Sequence, residues 1–270
     1  MPFANSAAPA SSTVAGVLAV IPARLGATRL PRKPLRLLGG RPLIVRVWER
    51  VVAMQVAPTV VVATDAQEIA EAVRQAGGTA VLTAATHRSG TDRIAEVAAR
   101  PEYALHDVIL NVQGDEPFVS EAAVRGALAM VAVERFPLGT ACAVANEAIL
   151  DSPHAVKVVA GDDGRALYFS RSPIPHLRDA ADAADSALRA SLVRQHLGIY
   201  AYTRDALAAW VSLPEHPLER VERLEQLRPL AAGMAMGVAT IDEPPPGGVD
   251  TEDDLHRANA RWHDLYAGRR

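Results

Sequence analysis

The first half of the chain alternates continuous apolar runs with segments whose apolar residues recur every three or four positions. A short continuous apolar run is typical of a strand buried on both faces, whereas the second spacing is typical of an amphipathic helix. GVLAVIPA at 16–23 predicts a strand, and Leu43, Val47, Val51 and Met54 predict the helix that follows it. Further strands are predicted at TVVVATDA, TAVLTA and DVILNVQGDEPF, and further helices at AQEIAEAVRQAGG and GTDRIAEVAAR. This alternation predicts parallel βαβ units with right-handed crossovers in a doubly wound α/β domain.

The pattern changes after about residue 150. AVKVVAGDDGRALYFSR predicts two strands around a turn, and HLGIYAYTRD predicts another strand, while the Ala-rich DAADAADSALRASL between them fits either a surface helix or a loop. ERVERLEQLRPLAAG is predicted as one amphipathic helix, and the chain ends in a helix whose Thr251 and Asp254 have the spacing of a capping box. We expect a disordered tail at 1–15 and a single domain at 16–270, with a smaller β-rich lobe at about 151–205.

Composition and charge narrow the class of protein. Hydrophobic residues make up 49% of the chain, aromatic residues 4%, and the net charge is −3, so neither nucleic acid nor a membrane surface is an expected partner. Cys142 is the single cysteine, which excludes an internal disulfide and fits a reducing compartment. No apolar run reaches the roughly 20 residues that span a bilayer, and the first residues do not form a convincing signal peptide. We therefore predict a cytoplasmic protein.

A basic loop follows the first predicted strand. In VIPARLGATRLPRKPL, four cations (Arg24, Arg29, Arg32 and Lys33) lie close together, and Gly26 and two prolines disfavour a regular helix. Ligands of doubly wound sheets bind beyond the carboxyl ends of the strands, so Arg24 and Lys33 are placed to hold phosphates; a solvated basic turn is the alternative. Neither G-x-x-x-x-G-K-[ST] nor G-x-G-x-x-G occurs, which disfavours a P-loop NTPase and a Rossmann dehydrogenase.

Two aspartates and one polar loop are further candidates. Asp115, in NVQGDEPF, follows a predicted strand and is either a Mg²⁺ ligand or part of a turn. Asp250 precedes the last helix and is either its N-cap or a second metal ligand. In THRSGTDR, Ser89 and Arg93 offer donors to a base or ribose, although Ser89 also suits a helix N-cap.

Nine segments in order along the chain resemble the 3-deoxy-manno-octulosonate cytidylyltransferase family, over about Val17 to Leu255. They are IPARLGATRLPRKPL, VATD, HRSGTDR, NVQGDEP, AVKVV, ALYFSR, HLGIYAY, LEQLR and GVDTEDDL. The resemblance implies that CTP and 3-deoxy-manno-octulosonate (Kdo) give CMP-Kdo and pyrophosphate with Mg²⁺, for lipopolysaccharide assembly. It also implies a nucleotide-diphospho-sugar transferase-like fold with a mixed sheet, and a homodimer.

The same resemblance assigns roles to individual residues. Arg24 and Lys33 would hold the CTP phosphates, and Asp115 and Asp250 would ligate Mg²⁺; these four form the implied catalytic set. Ser89 and Arg93 would bind the cytidine. The residues implied for the sugar side are Gln113, Arg171, His196, Tyr200, Glu225 and Gln226. Kdo would then attack the α-phosphorus in line with the leaving pyrophosphate, so that positioning and charge neutralisation dominate catalysis.

The chain also departs from the family pattern. Ala27 and Arg32 stand where serine and glycine are expected, so the exact shape of the phosphate loop is open. Ser152 and His154 also differ from the expected residues. The runner-up function is CMP transfer to a related acid sugar, of the 8-amino-Kdo or sialic-acid type. A non-catalytic nucleotide-binding protein is disfavoured, because Lys33 and both aspartates are present.

Overall fold

The computed structural model describes residues 16–26, 28–178, 182–242 and 244–266. The tail expected at 1–15, and Ala27, lie outside the described residues. The strands are β1 (Val17–Ala23), β2 (Leu37–Leu38), β3 (Arg41–Pro42), β4 (Thr59–Thr64), β5 (Thr79–Leu82), β6 (Val108–Asn111), β7 (Leu138–Val144), β8 (Lys157–Ala160), β9 (Ala166–Ser170), β10 (Arg194–Thr203) and β11 (Met236–Ile241). The helices are α1 (Leu43–Ala53), α2 (Gln67–Gln75), α3 (Gly90–Ala98), α4 (Glu121–Ala132), α5 (Ala183–Leu192), α6 (Arg204–Ser212), α7 (Pro217–Glu222), α8 (Leu227–Ala231) and α9 (Glu252–Tyr266).

The main sheet is mixed, as expected. Its strand order is β11-β7-β10-β6-β1-β4-β5. β1 pairs in parallel with β4 and β6, and β4 with β5, whereas β10 runs antiparallel to both β6 and β7. Because β1, β4, β5 and β6 run in the same direction, their carboxyl ends meet at one edge of the sheet.

Helices cover both faces of the sheet, which confirms the doubly wound fold. β1 is buried on both sides: Ala19 and Ile21 contact the cluster that includes the apolar faces of α1, α2 and α4. Leu18 and Val20 contact the opposite cluster, to which α3 and α6 contribute. Each large apolar side chain that is fully buried contributes about 1.5–3 kcal/mol, so this strand is fixed firmly beneath the edge where it ends.

The hairpin β8–β9 lies within the region expected to be a β-rich lobe. β8 pairs with β10 through Lys157 and Gln195, so the hairpin is hydrogen-bonded to the main sheet. The Ala-rich stretch before β10 forms helix α5 at Ala183–Leu192, and residues 179–181 lie outside the described residues. No helix in the described ranges is long and apolar enough to cross a membrane.

One sequence prediction is wrong: the single amphipathic helix expected around residues 219–233 is two short helices, α7 and α8. Arg223 has φ 54°, in the left-handed region, and its N–H caps the end of α7 by bonding to the Glu219 carbonyl. The reversal at Arg223 allows Leu224 and Leu227 both to be buried in the core. Burial of these two side chains therefore outweighs the propensity of the segment to continue as one helix.

Candidate active site

A cavity of about 380 Å³ opens at the carboxyl edge, beside the loops that follow β1, β5 and β6. The residues predicted to bind the nucleotide and the metal come together there. The predicted residues that line the cavity are Arg24, Lys33, Ser89, Arg93, Gln113, Asp115 and Asp250. The chain therefore brings the loop after β1 and the start of α9 to one site, although they lie more than 200 positions apart.

The basic loop after β1 ends in a short 3-10 helix at Lys33–Leu35. Arg32, at the position that precedes this helix, has φ 57°, which strains any residue other than glycine. Its guanidinium forms an ion pair with Glu68 of α2, and it is not part of the cavity lining. The Arg32 side chain thus points towards α2, while Lys33 points into the cavity.

Lys33 bridges the two aspartates. Its Nζ lies 2.5 Å from Asp115 Oδ2 and 2.9 Å from Asp250 Oδ1, and Arg29 Nη2 lies 2.9 Å from Asp250 Oδ2. Burial, the largest effect, lowers the pKa of Lys33, but the two carboxylates more than offset it, so that the pKa is raised. Lys33 is therefore a permanent cation placed between two carboxylates.

Asp250 is not the N-cap of α9. Thr251 fills that role: its Oγ1 accepts the Asp254 N–H at 3.2 Å, and Asp254 Oδ2 accepts the Thr251 N–H at 2.9 Å, which confirms the predicted capping box. The Val249 N–H donates to the Asp115 carbonyl at 2.9 Å, and this bond ties the two aspartate-bearing segments together. The Asp250 carboxylate is therefore not used as a helix cap and faces the cavity, where it pairs with Lys33 and Arg29.

Glu116, to which the sequence analysis gave no role, packs beneath this cluster. Burial, together with the nearby Asp115 and Asp250 carboxylates, raises the pKa of Glu116 to about 8. Gly248 allows the close approach, because a Cβ at that position would lie 2.8 Å from Glu116 Oε1. A neutral Glu116 adds no third negative charge to the two aspartates.

The two aspartates fit a magnesium ion. Within the described ranges no group of three His, Cys, Asp or Glu side chains is arranged to hold a metal. Mg²⁺ in nucleotide enzymes is commonly held by one or two carboxylates, with water and substrate phosphates as the remaining ligands. Asp115 and Asp250 share one cationic partner and offer only oxygen donors, so this donor set is suited to Mg²⁺ rather than to a metal bound by the protein alone.

The loop before α3 forms another wall of the cavity. Ser89 is the N-cap of α3, and with Asp92 it forms a capping box. Ser89 therefore has the helix-capping role that the sequence also allowed. Arg93 is buried and donates to Thr83 Oγ1 at 2.5 Å and to Asp65 Oδ2 at 3.1 Å. These bonds link α3 to the loops after β4 and β5. Arg29 and His87, which lie in segments singled out from the sequence, also line the cavity, as does Arg88, to which the sequence analysis gave no role.

The other predicted sugar-side residues do not line this cavity. His196 is buried, with Nε2 2.9 Å from Thr140 Oγ1, and burial lowers its pKa to about 3, so its ring is neutral at physiological pH. Tyr200 and Gln226 are also buried. Burial raises the pKa of Glu225, and the nearby Ser89 and Thr91 hydroxyls partly oppose that shift, while its Oε1 has no partner among the described residues.

Gln113 and Arg171 are already engaged by backbone carbonyls. Gln113 lines the cavity, and its Nε2 lies 3.4 Å from the carbonyl of Gly198, a bulge residue in β10 with φ 66°. Arg171 donates to the carbonyls of Pro153 and Glu222, both at 2.7 Å. The Arg171 guanidinium thus clamps neighbouring segments together and lies outside the cavity lining.

The mixed doubly wound sheet, with cations and two carboxylates at its carboxyl edge, defines a nucleotide-binding α/β domain. Residues 18–236 match the family model described as cytidylyltransferase. The chain is 61% identical to the 3-deoxy-manno-octulosonate cytidylyltransferase of Gemmatimonas aurantiaca over 93% of this chain and 96% of that protein. It is 48% identical to the protein of the same name from Xanthobacter autotrophicus, over 90% and 92% of the two chains. The chain belongs to the 3-deoxy-manno-octulosonate cytidylyltransferase family, and the resemblance found in the sequence is confirmed.

Solved structures agree with this assignment. The structure of CMP:2-keto-3-deoxy-manno-octonic acid synthetase complexed with CTP superposes with a TM-score of 0.83 and 39% identity, over 92% of this chain and 99% of that one. A cytidylyltransferase from Leptospira borgpetersenii, at 15% identity and a TM-score of 0.56, shares the fold alone. The nucleotide-diphospho-sugar transferase-like fold expected from the motifs is therefore confirmed.

Proposed function

We propose that this protein transfers CMP from CTP to Kdo, giving CMP-Kdo and pyrophosphate, and so activates Kdo for lipopolysaccharide assembly. The observation that carries the proposal is the convergence of Lys33, Asp115 and Asp250 at one cavity, in a chain 61% identical to a relative named for this activity. The two bacterial relatives and the CTP-bound synthetase are all named for this sugar. This favours Kdo over the 8-amino-Kdo and sialic-acid alternatives.

Asp115 and Asp250 would hold Mg²⁺, which would polarise the α-phosphate when bound. The described side chains support the remaining tasks. Arg24 and Lys33 bring positive charge to the phosphates and offset the charge that develops on the leaving pyrophosphate. Ser89, the N-cap of α3, and Arg93, in the first turn of the same helix, bind the cytidine, and a capping box and buried hydrogen bonds fix both in place.

The Kdo site lies beside this cavity, at β10 and the turn between α7 and α8. His196 and Tyr200 are held rigidly in the aromatic cluster of β10, and neutral His196 offers Kdo a hydrogen bond rather than a charge. Gln113 lines the cavity and bonds to the Gly198 carbonyl of β10, so it connects the nucleotide side of the site with the Kdo side. Arg171 supplies a guanidinium that matches the two oxygens of the Kdo carboxylate, once it exchanges carbonyl partners for the ligand.

The proposal extends to location and assembly. We propose a cytoplasmic homodimer, in which the hairpin β8–β9 and α5 contribute to the contact between subunits. Leu167 of β9 and Leu188 of α5 are each 60% exposed, so each element offers an apolar side chain that a subunit contact would cover. Measuring the mass of the purified protein in solution tests whether it is a homodimer.

The first experiment is pyrophosphate release from purified protein with Mg²⁺ and CTP, with and without Kdo. ATP, GTP and UTP serve as nucleotide controls, and 8-amino-Kdo and a sialic acid as sugar controls. Release that requires both CTP and Kdo supports the proposal. Pyrophosphate release with another acid sugar but not with Kdo would show that the other sugar is the substrate. No release with any of these sugars would indicate that the protein binds the nucleotide without transferring CMP.

A further inference from the structure

The cations of the cavity differ in whether the protein neutralises them. Lys33 and Arg29 pair with Asp115 and Asp250, and Arg93 pairs with Asp65. Two arginines that line the same cavity make no hydrogen bond or ion pair with any described residue. These two are Arg24, which the family resemblance assigned to phosphate, and Arg88, to which it assigned nothing.

The backbone on both sides of Arg88 is fixed. His87 Nε2 lies 2.6 Å from Glu96 Oε2, and the same oxygen accepts the Ala84 N–H at 2.8 Å. Ser89 closes the capping box of α3. The exposed Arg88 side chain therefore projects from an anchored position. An anchored backbone with an uncommitted guanidinium reduces the ordering cost of binding an anion.

The charge balance of the cavity indicates the anion. The pairs made by Arg29, Lys33 and Arg93 are close to neutral overall, which leaves Arg24 and Arg88 as uncompensated positive charges. A magnesium–nucleoside triphosphate complex carries about two net negative charges at neutral pH. One arginine follows β1 and the other follows β5, and β4 lies between these strands, so they reach the cavity from different walls.

We infer that Arg88 binds the triphosphate of the nucleotide, from the wall formed by the loop after β5. The inference rests on the proposed function of this cavity and adds a second arginine to the phosphate contacts implied by the family motifs. Guanidinium is suited to the task, because its fork of donors matches two phosphate oxygens. Arg88 acts on nucleotide binding and takes no part in the sugar site.

The test compares Arg88→Gln and Arg88→Lys with the wild type. Loss of one charge-assisted contact at an exposed position is worth about 1.4 kcal/mol, so for Arg88→Gln we expect the Kd of Mg·CTP to rise about tenfold in titration calorimetry. The inhibition constant of pyrophosphate should rise by a similar factor, and that of cytidine should not change. Arg88→Lys should restore part of the loss. Arg165→Gln, an exposed arginine at the β8–β9 turn, is the matched control and should leave all three constants unchanged.

Two results would overturn the inference. An unchanged Kd for Mg·CTP in Arg88→Gln would show that the guanidinium does not contact the nucleotide. A weaker affinity for cytidine with unchanged inhibition by pyrophosphate would place Arg88 at the base instead of the phosphates. Failure of the proposed function is a separate outcome, because it shows as absent turnover of CTP and Kdo by the wild type, whereas the binding constants still report on Arg88.

Discussion

Lys33→Met should strengthen metal binding in the absence of nucleotide, even though it greatly lowers turnover. Methionine keeps an unbranched side chain but removes the ammonium group that Asp115 and Asp250 share. If the same carboxylate oxygens hold Mg²⁺, as proposed, the ammonium and a divalent ion compete for them. In the wild type, a nucleotide would draw Lys33 towards its phosphates and release the carboxylates. Without nucleotide, Lys33 opposes the metal.

The size of the effect follows from the geometry. Two unit charges about 4 Å apart interact by about 4 kcal/mol at an effective dielectric constant of about 20, and by about 1 kcal/mol in water. The contacts of Lys33 are shorter, at 2.5 and 2.9 Å, but the side chains of Asp115 and Asp250 are 30% and 42% exposed, so solvent screens both pairs. We expect a net gain of about 1.4 kcal/mol for the metal, or roughly tenfold in Kd.

The assay measures Mn²⁺ binding to nucleotide-free protein by electron paramagnetic resonance or by calorimetry. Arg36→Met is the control, because Arg36 pairs with Glu252 near the start of α9 but lies outside the cavity lining. Its Mn²⁺ affinity should match that of the wild type. Turnover of Lys33→Met should fall by about 10²–10³, as for loss of one charge-stabilising group. Unchanged or weaker Mn²⁺ binding by Lys33→Met would refute the competition.

Three further predictions concern the fold. Burial lowers the pKa of His196 to about 3, against about 6.5 in the unfolded chain, so stability is fully present above about pH 6.5 and is lost as the pH falls towards 3. The free energy of unfolding should therefore drop by about 2 kcal/mol between about pH 7 and pH 5. His196→Gln should flatten that dependence in denaturant titrations. Gly139→Ala drives a Cβ into the Ala127 carbonyl oxygen and should cost about 2–3 kcal/mol, whereas Gly247→Ala, with no described atom within 4 Å, should cost little in the same titrations. Thr251→Val removes the cap of α9 and should lower stability by about 1 kcal/mol in thermal unfolding, and an unchanged Tm would contradict that role.

The parts of the site that follow strands were predictable from sequence. Continuous apolar runs identify β1 and β6, and a parallel sheet brings their carboxyl ends to one edge. The amino-acid pattern alone therefore places Lys33 and Asp115 near each other. Their residue types then point to phosphate and metal, although the pattern leaves a basic turn and an acidic turn as alternatives.

Other elements gave a weak signal for physical reasons. The segment that forms α4 is so uniformly rich in Ala and Val that its periodicity shows little contrast, and it was not predicted. The break between α7 and α8 depends on Arg223 adopting a left-handed conformation, which its residue type does not indicate. The carbonyls that hold Arg171 belong to the end of α7 and to the loop before β8, and no local sequence pattern places either of them beside Arg171.

The cluster at Lys33 depends on contacts between the two ends of the chain. Leu30 and Leu38, on either side of Lys33, are buried against Val249 and Leu255 in a small core of their own. This core holds α9 against the phosphate loop, and so brings Asp250 to Lys33. Without it Arg29 would lose its carboxylate partner and Lys33 would keep only Asp115, so the mutual repulsion of these loop cations would oppose the folded shape of the loop. The small apolar core therefore positions the Asp250 carboxylate, and that carboxylate offsets the repulsion among the cations of the basic loop.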